Sequence, residues 1–257
     1  MQPTHARARH PITLLILPII FGMSSTALAE KLPSPKTLFK QHVEAVGGKR
    51  AIKATKQRTL NGTFTIAAMG LAGPLNTVAA APNKIATSVD MGQFGVSRSG
   101  FDGVTGWSMD ARNGNQVLAG DALAAMQNTA DFYSDLNLGK DTTEKETVGV
   151  ADIDGEPHYR VRLVNKEGDE NYLYFSKKTG LLGGIDRMDA TPMGKVPTQV
   201  RMRNYVKANG LQSPRTIATN QNGIESVIQI ESISYGTVKQ GAFEVPPEIR
   251  SVLDQQG

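Results

Sequence analysis

Pairs of turn-forming residues divide most of this chain into short segments, and they restrict the folds that it can adopt. From Arg58 onward, short runs rich in Val, Ile, Thr, Tyr and Phe alternate with such pairs. The pairs are Pro82-Asn83, Asp102-Gly103, Asn113-Gly114, Asp154-Gly155, Gly168-Asp169, Thr179-Gly180, Asn209-Gly210 and Asn222-Gly223. Because these residues tolerate the positive φ angles of tight hairpins, the pattern predicts an antiparallel meander.

Alternating side chains predict that one face of this sheet is apolar and the other is polar. Val161 and Leu163 point one way along their strand, whereas Arg160 and Arg162 point the other way. Residues 199–206 repeat the pattern. A long antiparallel sheet accumulates twist and curls, so we expect a curved sheet.

Helical signals flank and interrupt the meander. Ser34 is a suitable N-cap, Pro35 suits the first helical position, and Gly47-Gly48 ends the pattern. A short second helix is expected after it, and residues 121–136 carry apolar side chains at helical spacing. The predicted fold class is therefore mainly β with a few helices: a curved antiparallel sheet, or half-open β-barrel, closed by an N-terminal helix and a helical lid.

The first 29 residues have the pattern of a secretory signal peptide. Arg7 and Arg9 precede a short apolar run, and Ala27-Leu28-Ala29 places small residues before the expected cleavage point. Export to the periplasm is predicted, with residues 30–257 forming a single domain that does not span the membrane. The alternative is an uncleaved anchor, although the apolar run is shorter than the ~20 residues that a spanning helix needs.

Composition excludes several classes of protein. The chain has no cysteine, so no disulfide can form. Its net charge is +4, and the two arginines of the predicted signal peptide supply half of it. The other basic residues are scattered among acids, so nucleic-acid binding is not expected.

The sequence offers no convincing catalytic, metal or cofactor site. His42 and His158 lack companions at metal-ligand spacing and are interpreted as surface or capped residues. Asp152 and Asp154 do not complete a calcium-loop pattern. The chain lacks a Gly-x-Ser-x-Gly motif, so no nucleophile can be nominated. We therefore predict no enzyme activity and no cofactor.

Asp102 and Trp107 raise a choice between structure and chemistry. Asp102 precedes Gly103 between two predicted strands, and a hairpin corner explains it without catalysis. Trp107, the only tryptophan, is interpreted as a core residue or as one wall of a concave ligand site.

The order of several short motifs resembles the LolA/LolB-like family of periplasmic lipoprotein carriers, in its broad outer-membrane lipoprotein-sorting-like branch. The motifs are EAVGGK at 44–49, AAAPNKI at 79–85, GFDGVTGW at 100–107 and AFEVPPEI at 242–249. The resemblance implies a half-open barrel around an apolar cavity for acyl chains. This chain departs from the pattern at Ala81, where LolA-type carriers have a basic residue implicated in onward transfer.

The leading hypothesis is a non-catalytic periplasmic binding protein for lipids or acylated lipoprotein cargo, which an envelope protein donates or accepts. The predicted cavity residues are Phe64, Ile66, Ile85, Val89, Phe94, Val96, Trp107, Leu123, Met126 and Phe132. One alternative is an envelope sensor or scaffold that binds another protein through the same fold. Another is a hydrolase that uses Asp102, Asp110 and Asp131.

Overall fold

Among the described residues, thirteen strands form one antiparallel sheet. The computed structural model describes residues 31–111, 113–191 and 194–256, so the predicted signal peptide lies outside the described residues. The residues from Leu32 onward form one compact unit.

The helices are α1 (Pro35–Val46), α2 (Lys49–Ala54), α3 (Gly120–Ala130) and α4 (Pro247–Gln256). The strands are β1 (Gln57–Ile66), β2 (Leu71–Ala80), β3 (Lys84–Asp90), β4 (Val96–Phe101), β5 (Gly106–Asp110), β6 (Gly114–Val117), β7 (Thr142–Ile153), β8 (Glu156–Asn165), β9 (Glu170–Ser176), β10 (Leu182–Thr191), β11 (Gly194–Arg203), β12 (Val206–Ala208), β13 (Leu211–Ser213), β14 (Thr216–Gln221) and β15 (Ile224–Ser234). Strands β12 and β13 form a separate hairpin.

The chain builds the large sheet in two limbs that meet at β1. Strands β2 to β6 add outward on one side of β1. The chain then crosses to the opposite edge at β7 and returns through β8 to β11, β14 and β15, which pairs with β1. The edge strands β6 and β7 do not pair with each other, so the sheet is open and the predicted half-open form does not close into a barrel.

The predicted turn chemistry is confirmed at several hairpins. Asp154, Asn209 and Asn222 have φ angles of 56°, 48° and 51°, and a glycine with positive φ follows each of them. Two consecutive positive φ values are the requirement of a tight hairpin whose twist matches the strands. The asparagine-glycine and aspartate-glycine pairs therefore fix where these strands reverse.

Helix α1 begins and ends where the sequence predicts. The Ser34 side chain accepts a hydrogen bond from the Thr37 backbone N–H, and Gly47 ends the helix with a φ of 140°. Leu38 and Val46 are buried on its inward face. Leu38 packs against apolar side chains of β8, β9 and β10, which fixes α1 across that limb of the sheet.

The predicted helical insertion is also present, as α3 followed by a 3-10 turn at Ser134–Leu136. Helix α3 contacts β3, β4 and β5 in one limb and β10 in the other. These strands lie far apart in the strand order, so the insertion crosses the concave face of the curved sheet. Hereafter, "lid segment" means residues 120–138.

The two faces of the sheet differ as the alternation predicts. Val161 is fully buried on the concave face. The convex face carries polar partners: Arg201 Nη1 lies 2.6 Å from Asp186 Oδ1, and the Tyr174 hydroxyl donates to Asp186 Oδ2 over 2.8 Å. Arg160 stacks 3.8 Å above the ring of Tyr172.

Candidate binding cavity

A cavity of about 280 Å³ lies between the concave face and the elements that cover it. The sheet contributes side chains from both limbs, including Leu60 of β1, Ile217 of β14 and Ile185 of β10. The cover comes from α1, α2, the lid segment and the β12–β13 region. The full lining is Val46, Ile52, Thr55, Arg58, Leu60, Phe132, Ser134, Asp135, Leu138, Leu182, Ile185, Met202, Tyr205, Leu211, Gln212, Ser213, Pro214, Ile217, Ile230 and Tyr235.

Most of this lining is aliphatic or aromatic, with a few polar groups, which is the usual composition of a small-ligand pocket. An apolar cavity of about 150 Å³ is known to accept benzene with its six carbons. A space of 280 Å³ therefore accommodates an unbranched chain of roughly ten carbons by the same scale. The cavity therefore has room for one chain of this length, not for several.

His42 and Asp135 connect α1 to the lid segment at the edge of the cavity. The His42 Nε2 and Asp135 Oδ1 atoms are 2.9 Å apart, and the histidine is only 1% exposed. The imidazole also packs edge-on against Phe175, with ring centroids 5.7 Å apart. The prediction of a surface or capped histidine is therefore wrong for His42, because the helix face that carries it is turned inward.

His158 is likewise buried, at 6% exposure, and its Nδ1 lies 2.8 Å from the Glu156 carbonyl oxygen. Its Nε2 occupies the space above Gly183, where a Cβ would approach it to 2.3 Å. This histidine is a packed and hydrogen-bonded strand residue, in place of the predicted surface position.

Two tyrosines give the cavity wall polar groups that stay neutral. Burial, and secondarily the negative charge of Asp135, raises the pKa of Tyr205 far above its usual value. Its hydroxyl donates to the Leu182 carbonyl oxygen over 2.8 Å. Burial also raises the pKa of Tyr235, although the positive charge of Arg58 acts in the opposite direction.

Two basic residues near the start of β1 contact the C-terminal half of the lid segment. Lys56 Nζ donates to the Tyr133 hydroxyl over 3.1 Å, and the Arg58 guanidinium lies 5.4 Å from the centre of the Phe132 ring. The Phe132 backbone N–H donates to the Pro82 carbonyl oxygen over 3.0 Å. Ala81, beside that proline, donates its own N–H to the Lys56 carbonyl oxygen.

The structure brings some of the predicted cavity residues together and separates others. Phe132 lines the cavity. Ile85 of β3 packs with Leu123 and Met126 of the lid segment in the same cluster as Phe132, and none of these three lines the cavity. Strand alternation and pairing place Phe64, Ile66 and Val89 on the same concave face, toward the far end of their strands.

The other three predicted residues lie elsewhere. Trp107 pairs with Gly100, which pairs with Ala86, so this row lies on the convex face. Val96 pairs with the exposed Asp90 on that same face and is 42% exposed. Phe94 is 56% exposed in a short 3-10 turn before β4. None of the three lines the cavity on the concave side.

A second, wider and more open groove of about 470 Å³ lies on the convex face beside Trp107. The C-terminal segment forms its other wall through Val238, Ala242 and Pro246. Trp107 itself is 4% exposed, and its indole N–H is buried without a hydrogen-bond partner. Its burial comes from this segment and not from a concave ligand site.

The carboxylates named for a hydrolase each have a local structural role. Asp102 Oδ1 accepts hydrogen bonds from the backbone N–H groups of Val104 and Thr105 over 2.8 and 2.7 Å, which confirms the hairpin corner. Asp110 accepts from the Asn113 backbone N–H over 2.7 Å. Asp131 holds the lid segment by accepting from the Tyr133 backbone N–H and the Asn137 amide.

The described ranges contain neither a candidate metal site nor a candidate membrane-spanning helix. No group of three or more His, Asp or Glu side chains there could hold a metal ion. Among the same residues, no helix has the length and apolar character needed to cross a membrane.

Sequence comparison found no matching family model and no matching curated protein. Solved structures do match in fold. A DUF1329 family protein from Desulfovibrio piger shares 12% identity, with a TM-score of 0.59 over 83% of this chain and 98% of that one. A LolA superfamily protein from Nitrosomonas europaea shares 10% identity, with a TM-score of 0.53 over 83% and 99% of the two chains.

A putative outer membrane lipoprotein-sorting protein domain from Vibrio parahaemolyticus is also similar, at 10% identity and a TM-score of 0.51. That match covers 84% of this chain and 99% of the other. The chain therefore has a LolA-like fold, as the sequence resemblance predicts.

Proposed function

We propose, from the LolA-like fold that this chain adopts, that it is an exported, non-catalytic carrier that holds one lipid acyl chain in the cavity under its lid segment. The observation that carries this proposal is the apolar cavity of about 280 Å³ between the sheet and its helical cover. Cargo is a lipid or the acyl chain of a lipoprotein. The predicted signal peptide directs this export and is removed after Ala29 in the mature protein.

The energetics support one chain as sufficient cargo. Each buried CH₂ contributes about 0.8 kcal/mol, so about nine contribute roughly 7 kcal/mol before the costs of association. Since those costs are not yet subtracted, the sum sets an upper limit on affinity, with a dissociation constant no tighter than about ten micromolar from the chain alone. Reversible binding of this strength suits a carrier, which has to release its cargo.

The first experiment is native mass spectrometry of the mature protein purified from its own compartment, followed by solvent extraction and lipid identification. The proposal expects one acyl chain per protein. An empty protein that also fails to bind decanoate or decanol in calorimetry contradicts it.

A matched pair of variants locates the binding site. Ile217 lines the cavity, so Ile217→Trp is expected to fill it and to abolish binding of the ten-carbon probes. Ile224 is 51% exposed on β15, so Ile224→Trp makes the same chemical change outside the cavity and is expected to leave binding unchanged. Equal affinities in the two variants would place the probe elsewhere.

The alternative role, as a sensor or scaffold for another envelope protein, has one feature in its favour. Because the sheet is open, β7 leaves a twelve-residue edge strand with Val148 and Val150 39% and 48% exposed. Such an edge can pair with a strand of a partner. A stoichiometric protein partner, recovered with no lipid in the cavity, favours this role over the carrier.

A further inference from the structure

The cavity wall contains one cation whose charge is not balanced by an ion pair. Arg58, in the second position of β1, lines the cavity, and its Nε is buried without a hydrogen-bond partner. Within the described residues, its guanidinium has no ion-pair partner. It lies over the face of the Phe132 ring. A partly buried cation in this state is costly unless a counter-charge is supplied.

The acid that shares the cavity wall does not supply that counter-charge. Asp135 lines the cavity, but its carboxylate is already hydrogen-bonded to His42. Tyr235, which also lines the cavity, lies within electrostatic range of Arg58: the positive charge acts to lower the pKa of its phenol, against the larger effect of burial and the opposite effect of Asp135. A neutral phenol does not neutralise the positive charge of Arg58. Its hydroxyl can donate a hydrogen bond to an anion that binds at Arg58.

The cavity adjoins an open surface cleft of about 510 Å³ at Tyr235 and Thr55, which line both spaces. The charge of Arg58 acts on the pKa of this same tyrosine. The lining as a whole is mostly apolar and includes Leu182 and Met202. The cavity thus combines a cation with a largely apolar wall.

We propose that Arg58 is the counter-ion for a single-chain amphiphile with an anionic head group, either a carboxylate or a phosphate. The proposal rests on the acyl-chain carrier function and specifies its cargo. The planar guanidinium binds either oxyanion through paired hydrogen bonds, and the Tyr235 hydroxyl donates a further one. The alkyl chain then extends inward among the aliphatic side chains.

Calorimetry with three ten-carbon probes tests the head group. Decanoate and decyl phosphate are expected to bind about 10- to 100-fold more tightly than decanol, which is the range of a charge-assisted hydrogen bond. The ratio between the two anions distinguishes a carboxylate source from a phosphate source. Equal affinity for decanoate, decyl phosphate and decanol would overturn the anion preference while leaving the carrier function intact. Failure of all three to bind would overturn both.

Variants of Arg58 test whether that residue provides the preference. Arg58→Gln is expected to reduce the ratio of decanoate affinity to decanol affinity to about one. Arg58→Lys keeps the charge and is expected to retain a weakened preference, and it is the second test if Arg58→Gln does not fold. Arg98→Gln, at an exposed site on the convex groove, is the matched control and should not change decanoate binding. A decanoate preference that survives in Arg58→Gln would overturn the role of Arg58.

Discussion

Single side chains hold the covering elements in place, and one of them is the buried His42, which is bonded to Asp135. This bond joins α1 to the lid segment over 2.9 Å. Asp135→Ala removes the carboxylate and leaves the buried imidazole unsatisfied. We expect the free energy of unfolding to fall by about 1–3 kcal/mol, measured by urea denaturation.

The matched control is Asp141→Ala, because Asp141 is an exposed residue in the turn before β7. Its effect should stay within about 0.5 kcal/mol. Equal destabilisation in the two variants would mean that the His42 bond contributes nothing beyond the general effect of removing an acid.

Tyr205 gives a prediction about alkaline pH. Burial raises the pKa of its phenol, so the folded protein retains a proton that the unfolded chain loses near pH 10. Stability from this residue is fully present below about pH 10 and is lost as the pH rises further. Tyr205→Phe should therefore show a shallower decline in unfolding free energy between about pH 10 and pH 11, measured by denaturation at several pH values.

The same variant has a second effect at neutral pH. It deletes the hydrogen bond to the Leu182 carbonyl oxygen, which should cost about 0.5–1.5 kcal/mol. An unchanged alkaline slope, with this neutral-pH loss present, would show that Tyr205 ionises as freely in the folded protein as in the unfolded chain.

Among the elements, the antiparallel pairing of β1 with β15 holds the two limbs of the sheet together. The pairing register shifts there, between Asn61 and Gly62. A Cβ on Gly62 would lie 2.1 Å from the Gln229 carbonyl oxygen, which is backbone and cannot turn aside. Gly62→Ala should lower the free energy of unfolding by about 1–3 kcal/mol.

Gly236 provides the control for this change, since a Cβ there meets nothing within 4 Å. Gly236→Ala should change the unfolding free energy by no more than about 0.5 kcal/mol. If Gly62→Ala left the free energy of unfolding unchanged, β15 would be able to move away from β1, and the pairing of these strands would be less rigid than their close packing indicates.

Sequence patterns predicted the elements well where local chemistry decides them. Ser34 and Gly47 set the limits of α1, and turn pairs such as Asn209-Gly210 set the hairpins. Helix α4 was not predicted, although it begins at Pro247 inside the recognised 242–249 motif and proline is common at the first helical position. The face that Trp107 occupies depends on the segment that covers it. That segment is the C-terminal one, which is more than 100 residues away in the sequence.

Two glycines explain why Trp107, the large apolar residue of β5, lies on the convex face of the sheet and not on the concave face. Gly106 lies on the concave face, where a Cβ would approach Leu123 of the lid segment to 2.8 Å. Gly100 lies on the convex face, where a Cβ would approach the Trp107 ring to 2.7 Å. The small residue thus faces the lid and the large one faces the C-terminal segment, so reading the large residue as the concave one placed Trp107 on the wrong face.

The candidate cavity and the predicted set of cavity residues share Phe132 but otherwise lie at different positions. Five of the cavity's twenty lining residues come from β10, β11, β14 and β15, strands that contributed nothing to the predicted set, which was drawn from the early strands and the insertion. Alternation at Val200 and Met202 marked the correct face in the late strands. What the sequence could not supply was the pairing of β15 with β1, which brings those strands opposite the helical cover.

For the whole molecule, filling the cavity should stabilise the fold, because the ligand binds only when both limbs and the lid segment are in place. Decanoate at 100 times its dissociation constant is expected to raise the free energy of unfolding by about 2.7 kcal/mol. For a domain of this size, that increase corresponds to a rise in melting temperature of roughly 5–10 °C. Ile217→Trp should show no such rise, since its side chain already occupies the space. A rise of the same size in Ile217→Trp would place the stabilising ligand outside the cavity, and the concave face would then be an ordinary core.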